Sequence, residues 1–142
     1  MLESNVIIAK QESVDKILQD IIKLSYDQRC KRRCVMKTER DVEFLFNLPH
    51  AVMLQDGDVI KLTDDSLVLV EAAVEDVIDV QSHNNIFLTK FAWYMGNKHK
   101  AIETSDFSIR IQYDSVVEQE LAKWQAKFLV HKAPFSPNIN VL

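Results

Sequence analysis

Hydrophobic and polar positions form short runs through the first half of the chain. The runs that are apolar, or that alternate with a period of two, cover residues 6–9, 35–37, 42–48, 59–62 and 67–73. Runs of this kind are typical of β-strands, and acidic turn sequences at 56–58 and 63–65 separate the later ones. The pattern predicts a small β domain over residues 1–73.

One segment of this half, residues 13–24, follows a different period. Its apolar residues recur at the spacing of one helical face, namely Ile17, Leu18, Ile21, Ile22 and Leu24. Local spacing therefore favours a helix in a region that is otherwise rich in strands.

The second half alternates strands with helices. Strands are predicted at 74–80, 101–103, 107–113 and 128–131, and helices at 85–95 and from Asp114 or Ser115 onward. Ser115 and Glu118 have the spacing of a capping box at the start of the second helix. The order βαββαβ is that of the ferredoxin-like domain, so the whole chain is predicted to be an α+β protein with this domain over residues 74–142.

Each predicted helix has one apolar face. In the first helix this face consists of Ile86, Phe87, Phe91, Tyr94 and Met95. In the second it consists of Val116, Val117, Leu121 and Trp124.

The first helix is predicted to end at Gly96, one of only two glycines in the chain. A glycine just past the last periodic residue can adopt the left-handed conformation that terminates a helix. His99 follows three residues later and would then be held at a rigid corner. From the residues alone, His99 is either a metal ligand or a capping or core histidine at the helix end, where its positive form would favour the negative end of the helix dipole.

Composition and charge exclude several classes of protein. The net charge is −4 and the isoelectric point is near 5.5, which argues against nucleic acids and anionic membranes as main partners. No apolar run approaches the roughly 20 residues that span a bilayer, and the N-terminus lacks the features of a signal peptide. We therefore expect a cytoplasmic protein. No catalytic constellation is recognisable, so we predict that the protein is not an enzyme.

A basic segment carries both cysteines, Cys30 and Cys34. They have two interpretations: half of a thiolate metal site whose flanking cations lower the thiol pKa values, or two reduced thiols. The lack of a second cysteine pair favours reduced thiols. The basic run at 31–33 is either a docking surface for an acidic partner or RNA, or a solvated group of charges, which is the commoner case.

Several motifs resemble one known family. Met-Gly-Asn-Lys-His at 95–99 resembles the Leu-Gly-Asn-Arg-His signature of the urease accessory protein E family, dimeric nickel metallochaperones. Further resemblances lie at 24–29, at Leu-Pro 48–49 with Leu-Gln-Asp-Gly-Asp-Val at 54–59, at the junction 110–118 and at Ala-Pro-Phe-Ser-Pro 133–137. The resemblance covers nearly the whole chain. It implies a strand and a turn for residues 13–24, and we prefer that prediction to the helix.

The resemblance also implies a function. The chain would bind Ni(II) as a homodimer formed through its ferredoxin-like domain, with His99 of each subunit as metal ligand and Zn(II) or Cu(II) as alternatives in vitro. His131 is a second candidate ligand, and Met95, Gly96, Asn97 and Lys98 complete the motif. The expected partners are the GTPase of the urease maturation complex and the urease apoprotein complex. The β domain, which resembles a peptide-binding chaperone module in this family, would contact partners.

The chain departs from the family pattern at three places. Tyr94 and Ser115 stand where many relatives have histidine, and the chain ends at 138–142 without a histidine-rich tail. These departures predict about one metal ion per dimer and a low storage capacity. Two rival hypotheses are a protein-interaction scaffold of the urease maturation complex that binds little metal, and a small ferredoxin-like enzyme, which would need a polar pocket.

Overall fold

The computed structural model describes residues 1–4, 6–9 and 20–140. The chain divides into two compact units, Met1–Ala73 and Val74–Leu142. None of the helices in the described ranges is long and apolar enough to cross a membrane.

The N-terminal unit is rich in strands. Its elements are β1 (Leu2–Ser4), β2 (Val6–Ile8), β3 (Asp20–Leu24), α1 (Tyr26–Arg29), β4 (Arg33–Lys37), β5 (Glu43–Asn47), β6 (Val59–Lys61) and β7 (Leu67–Ala72). The strands form one sheet of order β1-β5-β4 and a second of order β2-β6-β7-β3. The prediction of a small β domain is confirmed.

Alternation along the strands builds the core of this unit. Phe44 and Phe46 of β5 are fully buried, whereas the residues between and beside them are exposed or half-buried. Successive side chains of a strand point to opposite faces, so two phenylalanines spaced by two lie on one face. They share a hydrophobic cluster with Leu54, Ile60 and Val70.

The strand predicted within 13–24 is present over the part that the structure describes. Residues 20–24 form β3, which pairs in parallel with β7, and residues 13–19 lie outside the described ranges. Ile22 and Leu24 are buried on one face of β3, with the exposed Lys23 between them. The helical spacing was therefore misleading here, because pairing with β7 decides the conformation. A short helix that the sequence analysis did not predict, α1, follows with a capping box of Ser25 and Gln28.

The C-terminal unit has the predicted βαββαβ order. Its elements are β8 (Val74–Gln81), α2 (Asn85–Asn97), β9 (Glu103–Ser105), β10 (Ser108–Gln112), α3 (Ser115–Lys123) and β11 (Lys127–Pro134). The antiparallel sheet has the order β11-β8-β10-β9. This order places the first and third strands side by side at the centre, as in a ferredoxin-like domain. The predicted α+β fold class is confirmed.

The two helices cover one face of this sheet. Leu88, Phe91 and Met95 of α2 and Val117 and Leu121 of α3 share a cluster with the sheet. The sheet residues in that cluster are Ile78, Val80, Ile109 and Ile111.

The predicted apolar face of α2 was only partly correct. Ile86, which was predicted to be buried, is 69% exposed, whereas Leu88, which was not part of the predicted face, is buried. Two apolar stripes on α2 satisfy helical spacing, and contact with the sheet selects the stripe of residues 88, 91 and 95. On α3, Val116 and Trp124 are likewise exposed although they belong to the predicted face.

The predicted capping box of Ser115 and Glu118 is wrong. Asp114 caps α3, since its Oδ1 accepts hydrogen bonds from the backbone N–H groups of Val116 (2.9 Å) and Val117 (3.1 Å). Glu118 instead accepts a hydrogen bond of 2.7 Å from the Tyr113 hydroxyl. The other carboxylate oxygen of Asp114 forms an ion pair of 2.8 Å with Lys100. One side chain thus joins the segment after α2 to the start of α3.

We expect Asp114 to make stability depend on pH. The hydrogen bond from Lys100 lowers the pKa of the Asp114 carboxyl below its ordinary value of 3.8, and the two backbone N–H groups add to this effect. Because the pKa is lower in the folded state, this contribution is complete above the unfolded pKa and is lost as the pH falls through the folded pKa. Asp114→Ala should lower the free energy of unfolding by about 1 kcal/mol at pH 7, because the cap is lost.

The matched variant Asp114→Asn keeps a capping oxygen and loses only the charge. Its loss should be smaller, about 0.5 kcal/mol at pH 7, since Lys100 is partly exposed. Urea unfolding at several pH values measures both effects. An Asp114→Asn deficit that stays constant down to pH 2 would contradict this account.

Candidate histidine site at the end of helix α2

His99 lies two residues beyond α2, in the turn that closes the helix. The backbone N–H of His99 donates to the Gly96 carbonyl (3.0 Å), and that of Lys100 donates to the Met95 carbonyl (3.0 Å). Lys98 is the C-cap residue, and His99 has a φ of 58°. These two hydrogen bonds and the left-handed residue between them constitute a Schellman motif.

The prediction that Gly96 terminates the helix is wrong. Gly96 and Asn97 are the last two residues of α2, and His99 occupies the left-handed position instead. A residue with a Cβ atom is disfavoured in this conformation by roughly 1–2 kcal/mol, which is why glycine usually occupies it. His99 is therefore placed at the corner at an energetic cost.

Helix α3 ends in the same way, which provides an internal comparison. Gln125 has a φ of 55°, and its N–H donates to the Ala122 carbonyl at 3.1 Å. The N–H of Ala126 donates to the Leu121 carbonyl, also at 3.1 Å. Gln125 thus occupies the position that His99 occupies after α2.

The His99 side chain is exposed. Within the described ranges, no hydrogen bond or ion pair engages its imidazole. The alternative of a core histidine is therefore excluded, and the imidazole has no partner among the described residues that a ligand would have to displace.

The neighbouring cation does not crowd this imidazole. The Nζ atom of Lys98 lies 4.9 Å from the centroid of the Tyr94 ring, in a cation–π contact. Tyr94 in turn contacts Trp124 edge to face, with ring centroids 5.2 Å apart. The charge of Lys98 is thus directed back along α2.

An aromatic surface continues along α2 from this corner. We give this name to the residues Ile86, Phe87, Lys90, Trp93, Tyr94 and Trp124. Trp93 is 70% exposed, and a groove of about 560 Å³ runs among the aromatic rings. Exposed apolar patches of this kind mark interaction sites. The predicted apolar stripe of α2 does not include this surface, because Trp93 lies outside the stripe; the position of Trp93 seven residues after Ile86 was the available signal.

His131, the second candidate, lies elsewhere in the domain. It is opposite Val77 in the pairing of β11 with β8, and so shares a sheet face with Asp79 and Arg110. The cluster residues Ile78 and Val80 point to the other face, which the helices cover. His131 is therefore on the face of the sheet away from α2 and α3.

The ring of His131 is already bound. Its Nε2 lies 2.6 Å from Oδ2 of Asp79, and Arg110 binds the same carboxylate through Nε (2.7 Å) and Nη2 (3.0 Å). Burial alone would raise the pKa of Asp79, but the hydrogen bonds from Arg110 and His131 outweigh burial and hold that pKa below its ordinary value. A metal ion at Nε2 would have to displace this charged carboxylate.

The remaining candidate ligands do not assemble into a site. The His83 ring packs on Phe107 with centroids 4.6 Å apart, and His50 is exposed. Cys30 and Cys34 are free thiols, and burial raises the pKa of Cys34, contrary to the lowering that a thiolate site requires. In the part of the chain that the structure describes, no group of three or more His, Cys, Asp or Glu residues could hold a metal ion.

The fold and the site define a class: a two-unit α+β protein whose ferredoxin-like domain presents one exposed histidine at a helix end. Family models match nearly the whole chain. Residues 6–73 match the model described as UreE urease accessory protein, N-terminal domain, and residues 75–141 match the C-terminal domain of the same family.

Individual relatives agree. The chain is 36% identical over 118 residues to the urease accessory protein UreE of Beijerinckia indica subsp. indica, covering 83% of this chain and 68% of that protein. It is 36% identical to the protein of the same name from Rhodopseudomonas palustris (strain BisB18), covering 83% of this chain and 56% of the relative. It is 35% identical to the protein of the same name from a Bradyrhizobium species (strain ORS 278), covering 90% of this chain and 59% of the relative.

The chain belongs to the UreE urease accessory protein family. The resemblance found in the sequence is thereby confirmed. Because this is a family of accessory proteins, the prediction that the chain is not an enzyme is confirmed as well. The chain spans between 56% and 68% of the length of the three relatives described.

We predict that His99→Gly stabilises the protein. Glycine adopts the left-handed conformation without a steric penalty, and the exposed imidazole makes no contact that stabilises the fold. The gain in free energy of unfolding should be about 0.5–1 kcal/mol, because glycine also increases the entropy of the unfolded chain. Gln125→Gly is the matched control and should show a similar gain in urea unfolding. A His99→Gly protein less stable than wild type would show that the imidazole supports the fold.

Proposed function

We propose that this protein is a nickel metallochaperone that carries Ni(II) for assembly of the urease active site. It acts in the cytoplasm as a homodimer, and one ion is held between the His99 side chains of the two subunits. The ion passes to the GTPase of the urease maturation complex and from there to the urease apoprotein. The observation that carries the proposal is the exposed, unengaged imidazole of His99 on a strained backbone.

The donor set supports a shared site. One chain offers a single imidazole at this corner and, among its described residues, no group of three ligands. A two-fold axis through the corner would bring a second imidazole to the same ion. Water would complete the coordination sphere, and water ligands exchange readily when a partner offers its own. Such a site suits a carrier, which has to release its cargo.

The chemistry of imidazole does not by itself select nickel. Neutral imidazole binds Ni²⁺, Cu²⁺ and Zn²⁺, and copper binds most tightly in the general order of affinities. We therefore expect Zn(II) and Cu(II) to bind the isolated protein in vitro. Selection of nickel would depend on metal supply and on the partners.

The aromatic surface supports the dimer. It lies on the exposed side of α2 and ends at the turn that carries His99. Burial of Trp93 and Ile86 against a second copy would remove large apolar areas from water. The same contact would bring the two His99 corners together.

Gly96 provides a second argument for a close neighbour. It is exposed, its φ is in the ordinary helical range, and an added Cβ would meet nothing within 4 Å. Alanine at this position would favour the helix by roughly 0.5–1 kcal/mol, so the fold of one chain gives no reason for a glycine. Close approach of a second subunit at this point does give one.

One observation favours the alternative function, a protein-interaction scaffold of the urease maturation complex. The second candidate ligand, His131, is held by Asp79 on the sheet face away from α2, so it adds no imidazole at the His99 corner. The scaffold would use the same aromatic surface but would bind little metal of its own. Metal titration distinguishes the two proposals.

We predict about one tightly bound Ni²⁺ per dimer in calorimetric titration at neutral pH. His99→Ala should abolish this binding, because a shared site loses both imidazoles at once. His83→Ala removes an imidazole elsewhere in the domain and should bind as wild type does. His131→Gln tests the second candidate, and we expect it to retain the tight site. Equal nickel binding by wild type and His99→Ala, or none by either, would overturn the carrier proposal and favour the scaffold.

We predict that Trp93→Glu converts the dimer to monomers in light scattering, because a buried unpaired carboxylate at the interface is strongly unfavourable. Phe107→Glu is the matched control, since Phe107 is also an exposed aromatic residue but lies outside the aromatic surface. Gly96→Ala is a milder variant: it should stabilise the helix of the monomer and weaken the dimer. A Trp93→Glu protein that remains dimeric would place the interface elsewhere.

A further inference from the structure

The strand β4 has one edge that pairs with no strand over residues 33–37 in the described ranges; just beyond it, the Glu39 N–H donates to the Ile21 carbonyl of β3 at 2.9 Å. Strand β4 lies at the end of the sheet β1-β5-β4 and pairs only with β5. Two hydrogen bonds show which residue pairs of this antiparallel ladder are hydrogen-bonded. The Leu48 N–H donates to the Arg32 carbonyl (2.9 Å), and the Thr38 N–H donates to the Val42 carbonyl (3.0 Å). Hydrogen-bonded pairs alternate in such a ladder, so the even-numbered residues bond to β5. Arg33, Val35 and Lys37 therefore direct their backbone N–H and C=O groups outward.

The same three residues point their side chains to solvent. Val35 is 58% exposed, and Arg33 and Lys37 are also exposed. Met36 is buried and Cys34 packs against the core, so the inward face of β4 anchors the strand. The edge thus presents three backbone donors and three acceptors together with a pattern of basic, apolar and basic side chains.

A basic groove lies beside this edge. It has a volume of about 350 Å³, and its lining includes Lys23 of β3, Lys31, and Val35 and Lys37 of β4, with no carboxylate among the lining residues. Two carboxylates pair with these lysines from outside the groove, Glu39 with Lys23 at 3.9 Å and Asp41 with Lys37 at 3.5 Å. All four partners are at least half exposed, and exposed pairs of this kind add little stability. The lysines can therefore exchange these partners for those of a ligand.

We propose that the outer edge of β4 binds an extended, acidic segment of a partner protein by adding it to the sheet as a further strand. Main-chain hydrogen bonds to residues 33, 35 and 37 would supply the pairing. Acidic residues opposite Arg33 and Lys37 and an apolar residue opposite Val35 would supply the selectivity, since opposite charges on facing positions of paired strands attract. The preferred sequence is acidic, any, apolar, any, acidic.

Charges on an edge strand also have a protective role, because they discourage pairing with other chains. Protection and recognition differ in one respect: a basic edge repels basic strands but attracts acidic ones. Nucleic acid is a weaker candidate, because it cannot use the ladder of outward N–H and C=O groups and the protein carries a net charge of −4. The proposal does not depend on metal binding.

The test uses the full-length protein and a blocked peptide with the central sequence Glu-Thr-Val-Thr-Glu, followed by NMR titration of backbone amides. We expect the amides of Arg33, Val35 and Lys37 to shift and to become protected from hydrogen exchange. Val35→Pro removes one outward N–H and leaves the ladder with β5 intact, because proline is tolerated where an edge N–H faces solvent. Val35→Pro should lower the affinity for the peptide about fivefold or more. Val35→Thr keeps the N–H and is the matched control.

The remaining outcomes are also decisive. A Lys-Thr-Val-Thr-Lys peptide should not bind. The double variant Arg33→Glu, Lys37→Glu should not bind the acidic peptide, and this variant provides the test if Val35→Pro does not fold. Equal binding of both peptides, or no effect of Val35→Pro in a folded protein, would overturn the proposal. A short oligothymidylate that competes for the same amides would show that the edge recognises negative charge and not a strand. No binding of the acidic peptide at all would mean that the charges only protect the edge.

Discussion

The turn after α2 depends on two backbone hydrogen bonds, and the proposed metal site depends on that turn. The accepting carbonyls belong to Met95 and Gly96. Met95 is fully buried in the cluster that joins both helices to the sheet, so packing of the core fixes where α2 ends. The next residues then have little freedom, and His99 has to adopt a left-handed backbone. An apolar stripe in the sequence thus determines where an imidazole is presented.

Neighbouring interactions hold this corner from both sides. Lys100, directly after His99, forms an ion pair with Asp114, which also caps α3. Lys98, directly before it, rests on the ring of Tyr94. A histidine kept in a disfavoured conformation by such contacts is typical of a functional position, because strain persists only where the surroundings over-determine it. The comparable position after α3 carries Gln125, so the geometry alone does not require histidine.

Much of the fold could be predicted from the sequence, because period-two alternation and helical spacing identify most strands and both long helices. Helical spacing gave a wrong prediction where two structures, or two faces of one helix, were compatible with the same spacing. Residues 20–24 follow helical spacing but pair with β7, and α2 carries one stripe through Leu88 and another through Ile86. The motif identified His99, but not its backbone: glycine usually ends a helix, and here the hydrogen bonds of the turn end it two residues later. For Trp93 the one available signal was its spacing from Ile86, and its role was not predictable from that spacing, since its proposed partner is a second chain.

Native mass spectrometry of the protein with less than one equivalent of Ni²⁺ per dimer weighs the assembly and its metal together, and so shows whether two His99 side chains share one ion. Sharing of one ion predicts dimers that carry a single nickel ion, metal-free monomers, and no retained nickel on dimers of His99→Ala. Nickel bound to monomers, or equally retained by wild-type and His99→Ala dimers, would contradict it.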